Sequence, residues 1–152
     1  MVAVSIIILN YKNKGLVFEQ LKHFFKQMPS CVCEVIVVDN NSGDDIADML
    51  KANYANVRFE AASHNRGYGA GNNVGIALAT GKYILIANPD IVLSGALVQG
   101  LYDFMQSHDG IGIAGPKILN ADGTLQYSCV RFPNASGSPS SRSVPSGRPM
   151  KR

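Results

Sequence analysis

Tryptophan is absent from this chain of 152 residues, and cysteine is scarce, with Cys31, Cys33 and Cys129 the three present. Only one residue separates Cys31 from Cys33, whereas zinc knuckles and thioredoxin-like sites place two residues between their cysteines. Neither kind of site is therefore predicted. A sparse, odd-numbered set of cysteines is typical of reduced thiols in a cytoplasmic protein.

Long hydrophobic runs are also missing, since none approaches the roughly 18 apolar residues that a membrane-spanning helix needs. The apolar stretch at residues 1–9 has no basic segment before it and breaks at Asn10, which is unlike a signal peptide. We expect a cytoplasmic protein without a transmembrane segment, in peripheral contact with the inner face of the membrane at most.

An excess of charge is lacking once the end of the chain is set aside. The net charge is +3, from 14 basic and 11 acidic residues, but four of the basic residues lie in residues 133–152, which contain no acid. Without them, 10 basic residues face 11 acidic ones, a net charge of −1. A chain so close to neutral does not support nucleic-acid binding.

The size and composition predict one folded domain followed by a tail. A hydrophobic share of 46% and a charged share of 16% are those of an ordinary globular protein. From Pro133 onward the chain has four prolines, six serines and no aromatic residue. Such a segment buries too little surface to order itself, so we predict a domain at residues 1–132 and a disordered tail at 133–152.

Strand and helix patterns alternate through most of the chain. Runs rich in β-branched residues predict strands at 2–9, 34–38, 57–61 and 82–87, with shorter ones at 111–114, 118–119 and 124–128 around an Asn-Ala-Asp-Gly turn. Helical spacing of apolar residues predicts helices at 14–28, near 46–50, after residue 71 and near 97–105. This order favours a three-layer α/β/α sandwich with a mostly parallel, Rossmann-like sheet.

The segment at residues 64–90 carries the most distinctive pattern. Gly67, Gly69 and Gly71 predict a turn with positive φ angles that passes close to a ligand. A short helix then ends at Gly81, the predicted C-cap. The following strand stops at the Asn-Pro-Asp tip of residues 88–90, because proline donates no hydrogen bond to a sheet.

Polar residues follow three of the predicted strands, at Asn10–Tyr11, at residues 39–42 and at residues 88–90. The carboxyl ends of parallel strands share one edge of a sheet, where open α/β sheets bind ligands. Dinucleotide-binding and Walker glycine motifs are both absent from the sequence. Phosphate would therefore be held by a metal ion or by other donors.

Five segments of the sequence resemble the inverting glycosyltransferases of family 2, which have the GT-A fold. They are VSIIILNY, VIVVDNNSGDD, HNRGYGAGNNVGI, NPD and GPKILNADGTLQYSCVRF, and they cover nearly all of residues 2–132 in family order and spacing. The details are most similar to rhamnosyltransferase-type members, which often carry Asn-Pro-Asp where others have Asp-x-Asp.

The resemblance implies a nucleotide-diphosphate sugar as donor, dTDP-rhamnose among the candidates, and a glycan or lipid-linked acceptor in cell-surface polysaccharide synthesis. It implies that Asp90 binds Mg²⁺ or Mn²⁺ at the donor diphosphate, and that Asp39 bonds the base or ribose. The residues implied to bind the nucleotide are Asn10, Tyr11, Asp39, Asn41, Asn65, Gly67, Asn72, Asn73 and Asn88.

Three polar residues near these segments receive other interpretations. Asp44 and Asp45 are predicted to be charges at the N-terminus of the second helix and nothing more. Tyr68 either stacks on a base or packs against its neighbours.

The resemblance supplies no catalytic residue. An inverting transferase needs a general base, which in the family lies in an acceptor-binding half beyond the turn at Asp122. No aspartate or glutamate follows Asp122 here. We therefore expect a truncated chain that lacks this half. The alternative is a non-catalytic nucleotide-sugar-binding module or an inactive fragment. A third interpretation is a nucleotidyltransferase, which would need a basic glycine-rich loop after the first strand. Lys12, Lys14 and Gly15 match such a loop only weakly.

Overall fold

A computed structural model describes residues 1–120 and 122–126 of the chain. The chain divides into the unit Met1–Ala114 and a second unit that begins at Gly115. Strands and helices alternate through the described residues of the first unit. In chain order they are β1 Val4–Asn10, α1 Lys14–Lys26, β2 Cys33–Asp39, α2 Ile46–Asn53, β3 Arg58–Ala61, α3 Gly67–Leu78, β4 Tyr83–Ala87 and α4 Gly95–Ser107.

The strands form a parallel sheet in the order β3-β2-β1-β4. All seven residues of β1 are buried, since β1 pairs with β2 on one side and β4 on the other. A strand so enclosed needs apolar residues on both faces, which is why valine, isoleucine and leucine make up most of it. The predicted α/β class with a parallel sheet is confirmed.

Helices cover both faces of the sheet. Ile6 and Ile8 of β1 pack in one core cluster with residues of α1, α2 and α4, whereas Ile7 and Leu9 pack with residues of α3 on the other face. This is the predicted three-layer sandwich. None of the helices in the described part of the chain is long and apolar enough to cross a membrane.

The prediction of a glycine-rich turn was wrong, because helix α3 already begins at Gly67. Of the three glycines at its start, Gly67 has a positive φ, +75°, while Gly69 and Gly71 lie in the helix. A Cβ atom at Gly71 would lie 2.7 Å from Leu9 Cδ1, and one at Gly75 would lie 2.5 Å from Ile7 Cγ2. Gly71 and Gly75 therefore allow the close approach of α3 to β1.

Gly81 is not the C-cap that the sequence predicted. Helix α3 ends at Leu78, and Ala79 occupies the cap position. Gly81 instead lies against the start of β1, where an added Cβ would come within 2.6 Å of the Ser5 main-chain nitrogen. Its own N–H donates to Ser5 Oγ at 2.8 Å.

The strand predicted at 111–114 was also wrong, since the structure shows no strand there among the described residues. Within the second unit, Leu119 and Leu125 form an antiparallel bridge around the predicted turn, and Asn120 N–H donates to Thr124 O at 2.8 Å. The hairpin turn is therefore confirmed. Residues 127–128 of its predicted return strand and the predicted tail at 133–152 lie outside the described residues.

Candidate functional site

A cavity of about 460 Å³ opens where β1, β2 and β4 end. Its lining comes from the ends of these strands and from the first turns of α1 and α3. The lining residues are Leu9, Tyr11, Asn13, Leu16, Asn40, Asn65, Gly67, Tyr68, Asn88, Pro89 and Asp90. Parallel strands thus converge on a ligand-sized cavity at their carboxyl edge. Five predicted site residues line it, namely Tyr11, Asn65, Gly67, Asn88 and Asp90.

The Asn-Pro-Asp tip is held from two directions. Gln20 of α1, which is 3% exposed, donates from Nε2 to the main-chain oxygens of Asn88, at 2.6 Å, and Ile91, at 3.2 Å. Tyr68 of α3 donates its hydroxyl proton to Asn88 Oδ1 at 2.6 Å. These bonds fix the segment that presents the exposed Asp90 carboxylate beside the cavity.

Asn10 and Asp39 are buried and are not among the residues that line the cavity. Asn10 is fully buried, and its Nδ2 donates to Asp39 Oδ1 and Ser42 Oγ, both at 2.8 Å. Asp39 also accepts from the hydroxyl and, at 3.1 Å, from the main-chain N–H of Ser42. The two side chains tie the end of β1 to the loop after β2, so the structure gives them a supporting position.

Asp44 belongs to the same network, which corrects its predicted role at the second helix. Its carboxylate accepts from Asn10 Nδ2, at 3.1 and 3.2 Å, and from the N–H of Lys14 at 3.1 Å. Lys14 is the first residue of α1, so Asp44 satisfies a free donor at the start of that helix. Asp45 takes the cap position of α2 with a left-handed φ of 54°.

Asn40 is a site residue that the sequence interpretation missed. It is 2% exposed and joins the end of β2 to the start of α3. Its Nδ2 donates to Asn65 Oδ1 and its Oδ1 accepts from Arg66 N–H, both at 2.9 Å. Asn65 Oδ1 accepts in turn from Gly67 N–H at 2.8 Å. The sequence signal was its place directly after a buried strand, beside Asp39.

Three further residues were predicted to bind the nucleotide but are not among the described residues that line this cavity. They are Asn41, Asn72 and Asn73. Asn41 is exposed and has a φ of 62°. Asn72 is 3% exposed and donates to Tyr68 O at 2.9 Å, but among the described residues its Oδ1 has no partner. Asn73 is exposed on α3.

The lining of the cavity contains one group of the kind that ligates a hard divalent cation. Among the described lining residues Asp90 is the one carboxylate, and the others are amides, tyrosines, apolar residues and a glycine. Residues 1–120 and 122–126 contain no group of three or more His, Cys, Asp or Glu side chains that could hold a metal. One carboxylate together with ligand phosphate is an arrangement in which Mg²⁺ is commonly bound.

The sequence profile of glycosyl transferase family 2 matches residues 5–141 of this chain. The chain belongs to glycosyltransferase family 2. The predicted family is therefore confirmed.

Curated relatives of this family-2 chain carry glycosyltransferase names. Glycosyltransferase GlyG of Streptococcus pneumoniae is 27% identical over 74% of the chain, and the poly(ribitol-phosphate) beta-glucosyltransferase of Bacillus spizizenii is 33% identical over 69%. An N-acetylglucosaminyl-diphospho-decaprenol L-rhamnosyltransferase of Mycobacterium tuberculosis is 27% identical over 66%. The chain spans 38%, 17% and 36% of these three proteins.

Solved structures show the same fold. TarS 1–349 of S. aureus superposes with a TM-score of 0.63 at 22% identity, over 76% of this chain and 39% of that one. TarS has also been solved in complex with UDP-GlcNAc. A mannosyltransferase of Pyrobaculum calidifontis in complex with GDP-Man and Mn²⁺ superposes with a TM-score of 0.54 at 21% identity, over 65% of this chain and 31% of that one.

Proposed function

We propose that the cavity binds a nucleotide-diphosphate sugar and that the chain is the donor-binding part of a glycosyltransferase. The observation that carries this proposal is the position of Asp90, on a tip braced by Gln20 and Tyr68 at the carboxyl edge of the sheet. Family membership supports the reaction class. Solved relatives with bound UDP-GlcNAc and GDP-Man support a nucleotide sugar as the ligand.

The residues divide into two groups in this proposal. Tyr11, Asn65, Gly67 and Asn88 contact the nucleotide directly, since they line the cavity. Asn10 and Asp39 join the ends of β1 and β2 through their buried network, and the nucleotide contacts that the resemblance implies for them remain part of the proposal. Asn41, Asn72 and Asn73 keep their proposed place near the nucleotide on the strength of the resemblance.

Asp90 would hold Mg²⁺ or Mn²⁺ together with the donor diphosphate. When bound, such an ion stabilises the negative charge on a departing diphosphate as a Lewis acid. The mannosyltransferase solved with Mn²⁺ supports this assignment, and so does the accessible carboxylate.

For the donor we propose dTDP-rhamnose, and for the acceptor a lipid-linked glycan of cell-surface polysaccharide synthesis. The support is the rhamnosyltransferase among the relatives, whose name includes a diphospho-decaprenol acceptor. The competing donor is a UDP-sugar, as in the TarS complex. Both donors place a pyrimidine nucleoside diphosphate in the same cavity.

A second candidate is a nucleotide-sugar-binding module without transferase activity of its own. It is favoured by the lining of the cavity, where Asp90 is the one carboxylate among the described residues. If Asp90 holds the metal, the cavity offers no second carboxylate from the described residues to deprotonate an acceptor hydroxyl. General-base assistance is typically worth about 10²- to 10⁴-fold in rate.

Titration calorimetry tests the binding step, with UDP and dTDP each added with and without Mn²⁺. We expect heat of binding and tighter binding in the presence of the metal. No binding of either nucleotide would overturn the proposal. A transfer assay with dTDP-rhamnose, UDP-GlcNAc and lipid-linked acceptors, followed by mass spectrometry, separates the two candidates: glycoside formation supports the transferase, and binding without transfer supports the module.

A further inference from the structure

The contact between Tyr68 and Asn88 is made by exposed side chains. Tyr68 is 59% exposed, yet its hydroxyl lies 2.6 Å from Asn88 Oδ1. An exposed phenol satisfies its hydrogen bonds with water, so burial does not demand this bond. The main chain of the tip has its own anchor, since Gln20 binds the main-chain oxygens of Asn88 and Ile91.

The bond fixes the orientation of the Asn88 amide. An asparagine side chain offers one oxygen, which accepts, and one nitrogen, which donates two hydrogens. Tyr68 donates to the oxygen, and Asn88 lines the cavity. With the oxygen bonded to Tyr68, both hydrogens of Nδ2 remain available to a ligand; Nδ2 donates hydrogen bonds and does not ligate a hard cation, because Mg²⁺ and Mn²⁺ take oxygen.

We propose that Tyr68 is a positioning residue that orients the Asn88 amide so that Nδ2 donates to an anionic phosphate oxygen of the nucleotide. This inference rests on the proposed function, because it assigns the ligand of that same cavity. The Asn-Pro-Asp tip then has two separate tasks, a metal-binding carboxylate at Asp90 and a phosphate-binding N–H at Asn88. A hydrogen bond from an amide to a charged oxygen is stronger than one between neutral groups.

Three variants test the assignment. Tyr68→Phe removes the hydroxyl and keeps the ring, and Asn88→Asp replaces the donor with a second carboxylate. Tyr83→Phe is the matched control, since its hydroxyl is bonded to Gln106, 3.1 Å away, and it does not line the cavity. Melting temperatures establish that each variant is folded before binding is measured.

Calorimetry with UDP in the absence of metal should show the loss of the amide donor. We expect about two- to tenfold weaker binding for Tyr68→Phe, the range for one hydrogen bond, and about tenfold or more for Asn88→Asp. With Mn²⁺ present, Asn88→Asp should gain more affinity from the metal than the wild type does, because a second carboxylate oxygen becomes available to the ion. Tyr83→Phe should match the wild type throughout.

Nuclear magnetic resonance gives a direct view of the amide. The side-chain N–H₂ signals of Asn88, assigned by their loss in Asn88→Asp, should shift when UDP is added without metal, and shift less in Tyr68→Phe. If the wild type binds UDP while these signals stay unchanged, or if Tyr68→Phe binds as tightly as the wild type, the inference is overturned and the proposed function stands. If the wild type binds neither UDP nor dTDP, both are overturned.

Discussion

Gln20 donates a hydrogen bond of 2.6 Å from its side-chain amide to the main-chain oxygen of Asn88, across 68 positions of sequence. The same nitrogen reaches Ile91 O at 3.2 Å. Helix α1 is otherwise packed on the sheet by apolar residues such as Val17 and Leu21. A buried polar side chain on this helix therefore serves the tip that carries Asp90, and it links the core to the candidate site.

Replacing Gln20 with methionine should destabilise the protein. The substitution keeps the approximate volume but removes the donor to two main-chain oxygens, and a hydrogen bond of this kind contributes about 0.5–1.5 kcal/mol. Gln106→Met is the control, because Gln106 is exposed and a surface substitution usually stays within about 0.5 kcal/mol. Urea denaturation of both variants measures the difference, and equal midpoints would show that Gln20 does not stabilise the tip.

Asp90→Asn should remove the effect of metal on nucleotide binding and leave the fold intact. Asp90 is exposed, so the melting temperature should stay within a degree or two of the wild type. Binding of UDP without metal should be retained, while the gain in affinity on adding Mn²⁺ should disappear. Asp109→Asn, an exposed carboxylate that is not among the lining residues, is the control. A full Mn²⁺ effect in Asp90→Asn would place the ion elsewhere.

The sheet could be predicted from the sequence because burial on both faces forces a simple pattern. Strands β1 and β2 are rich in β-branched residues, and they differ from their predicted bounds by one or two residues at each end. The tip was predictable for a local reason, since Pro89 ends the ladder. The same two signals place Asp90 at the carboxyl edge without any knowledge of side-chain contacts.

The support of the site could not be predicted, because it depends on contacts between distant residues. Gln20 on an amphipathic helix looks like a solvent-facing residue until the tip is placed over it. In the sequence, Asn10 resembles a ligand-binding residue at the end of a strand. In the structure, its side-chain amide donates hydrogen bonds to Asp39, Ser42 and Asp44. Asn40 and Asn41 are identical in type and adjacent in sequence, and only the path of the chain after β2 makes one buried and the other exposed.

The prediction of a turn at the glycines of α3 was wrong because glycine is needed in two different structures, which composition alone does not distinguish. A ligand-binding turn and a helix packed closely on a strand both need residues without Cβ atoms. Gly71 and Gly75 are four apart, the spacing of one helical face, and this spacing favoured the packing role. Gly69 lies off that face, with nothing within 4 Å of an added Cβ.

Gly75→Ala and Gly69→Ala should therefore have opposite effects on stability. The alanine at Gly75 would press on Ile7 Cγ2 at 2.5 Å, and overpacking of this kind typically costs about 1–3 kcal/mol. The alanine at Gly69 meets open space in a helix, where it should stabilise by up to about 1 kcal/mol. Thermal denaturation of the pair decides the matter, and destabilisation by both variants would contradict the helical position of Gly69.

The amino end of the sheet holds a carboxylate network of a different kind. Glu34 of β2 accepts hydrogen bonds from Ser5 Oγ at 2.5 Å, from Thr80 N–H at 2.7 Å and from Thr80 Oγ1 at 2.8 Å. Burial raises the pKa of Glu34, but the hydrogen bonds from Ser5 and Thr80, with the charge of Arg58, outweigh it and hold this pKa below its ordinary value of 4.5. Glu34 thus joins β1, β2 and the turn before β4 as a carboxylate.

Lowering the pH should weaken this link, which gives the last prediction. Because the pKa of Glu34 is lower in the folded state than in the unfolded state, the unfolded chain binds more protons in this range and stability rises with pH. The contribution is complete above pH 4.5 and is lost as the pH falls through the lower folded-state pKa.

Glu34→Gln should be less stable than the wild type at pH 6, and the difference should shrink towards pH 3. Glu60→Gln, at an exposed position on β3, should keep the wild-type dependence on pH. Melting temperatures measured from pH 3 to 6 test this, and a constant difference between Glu34→Gln and the wild type would mean that the ionised form of Glu34 is not what stabilises the link.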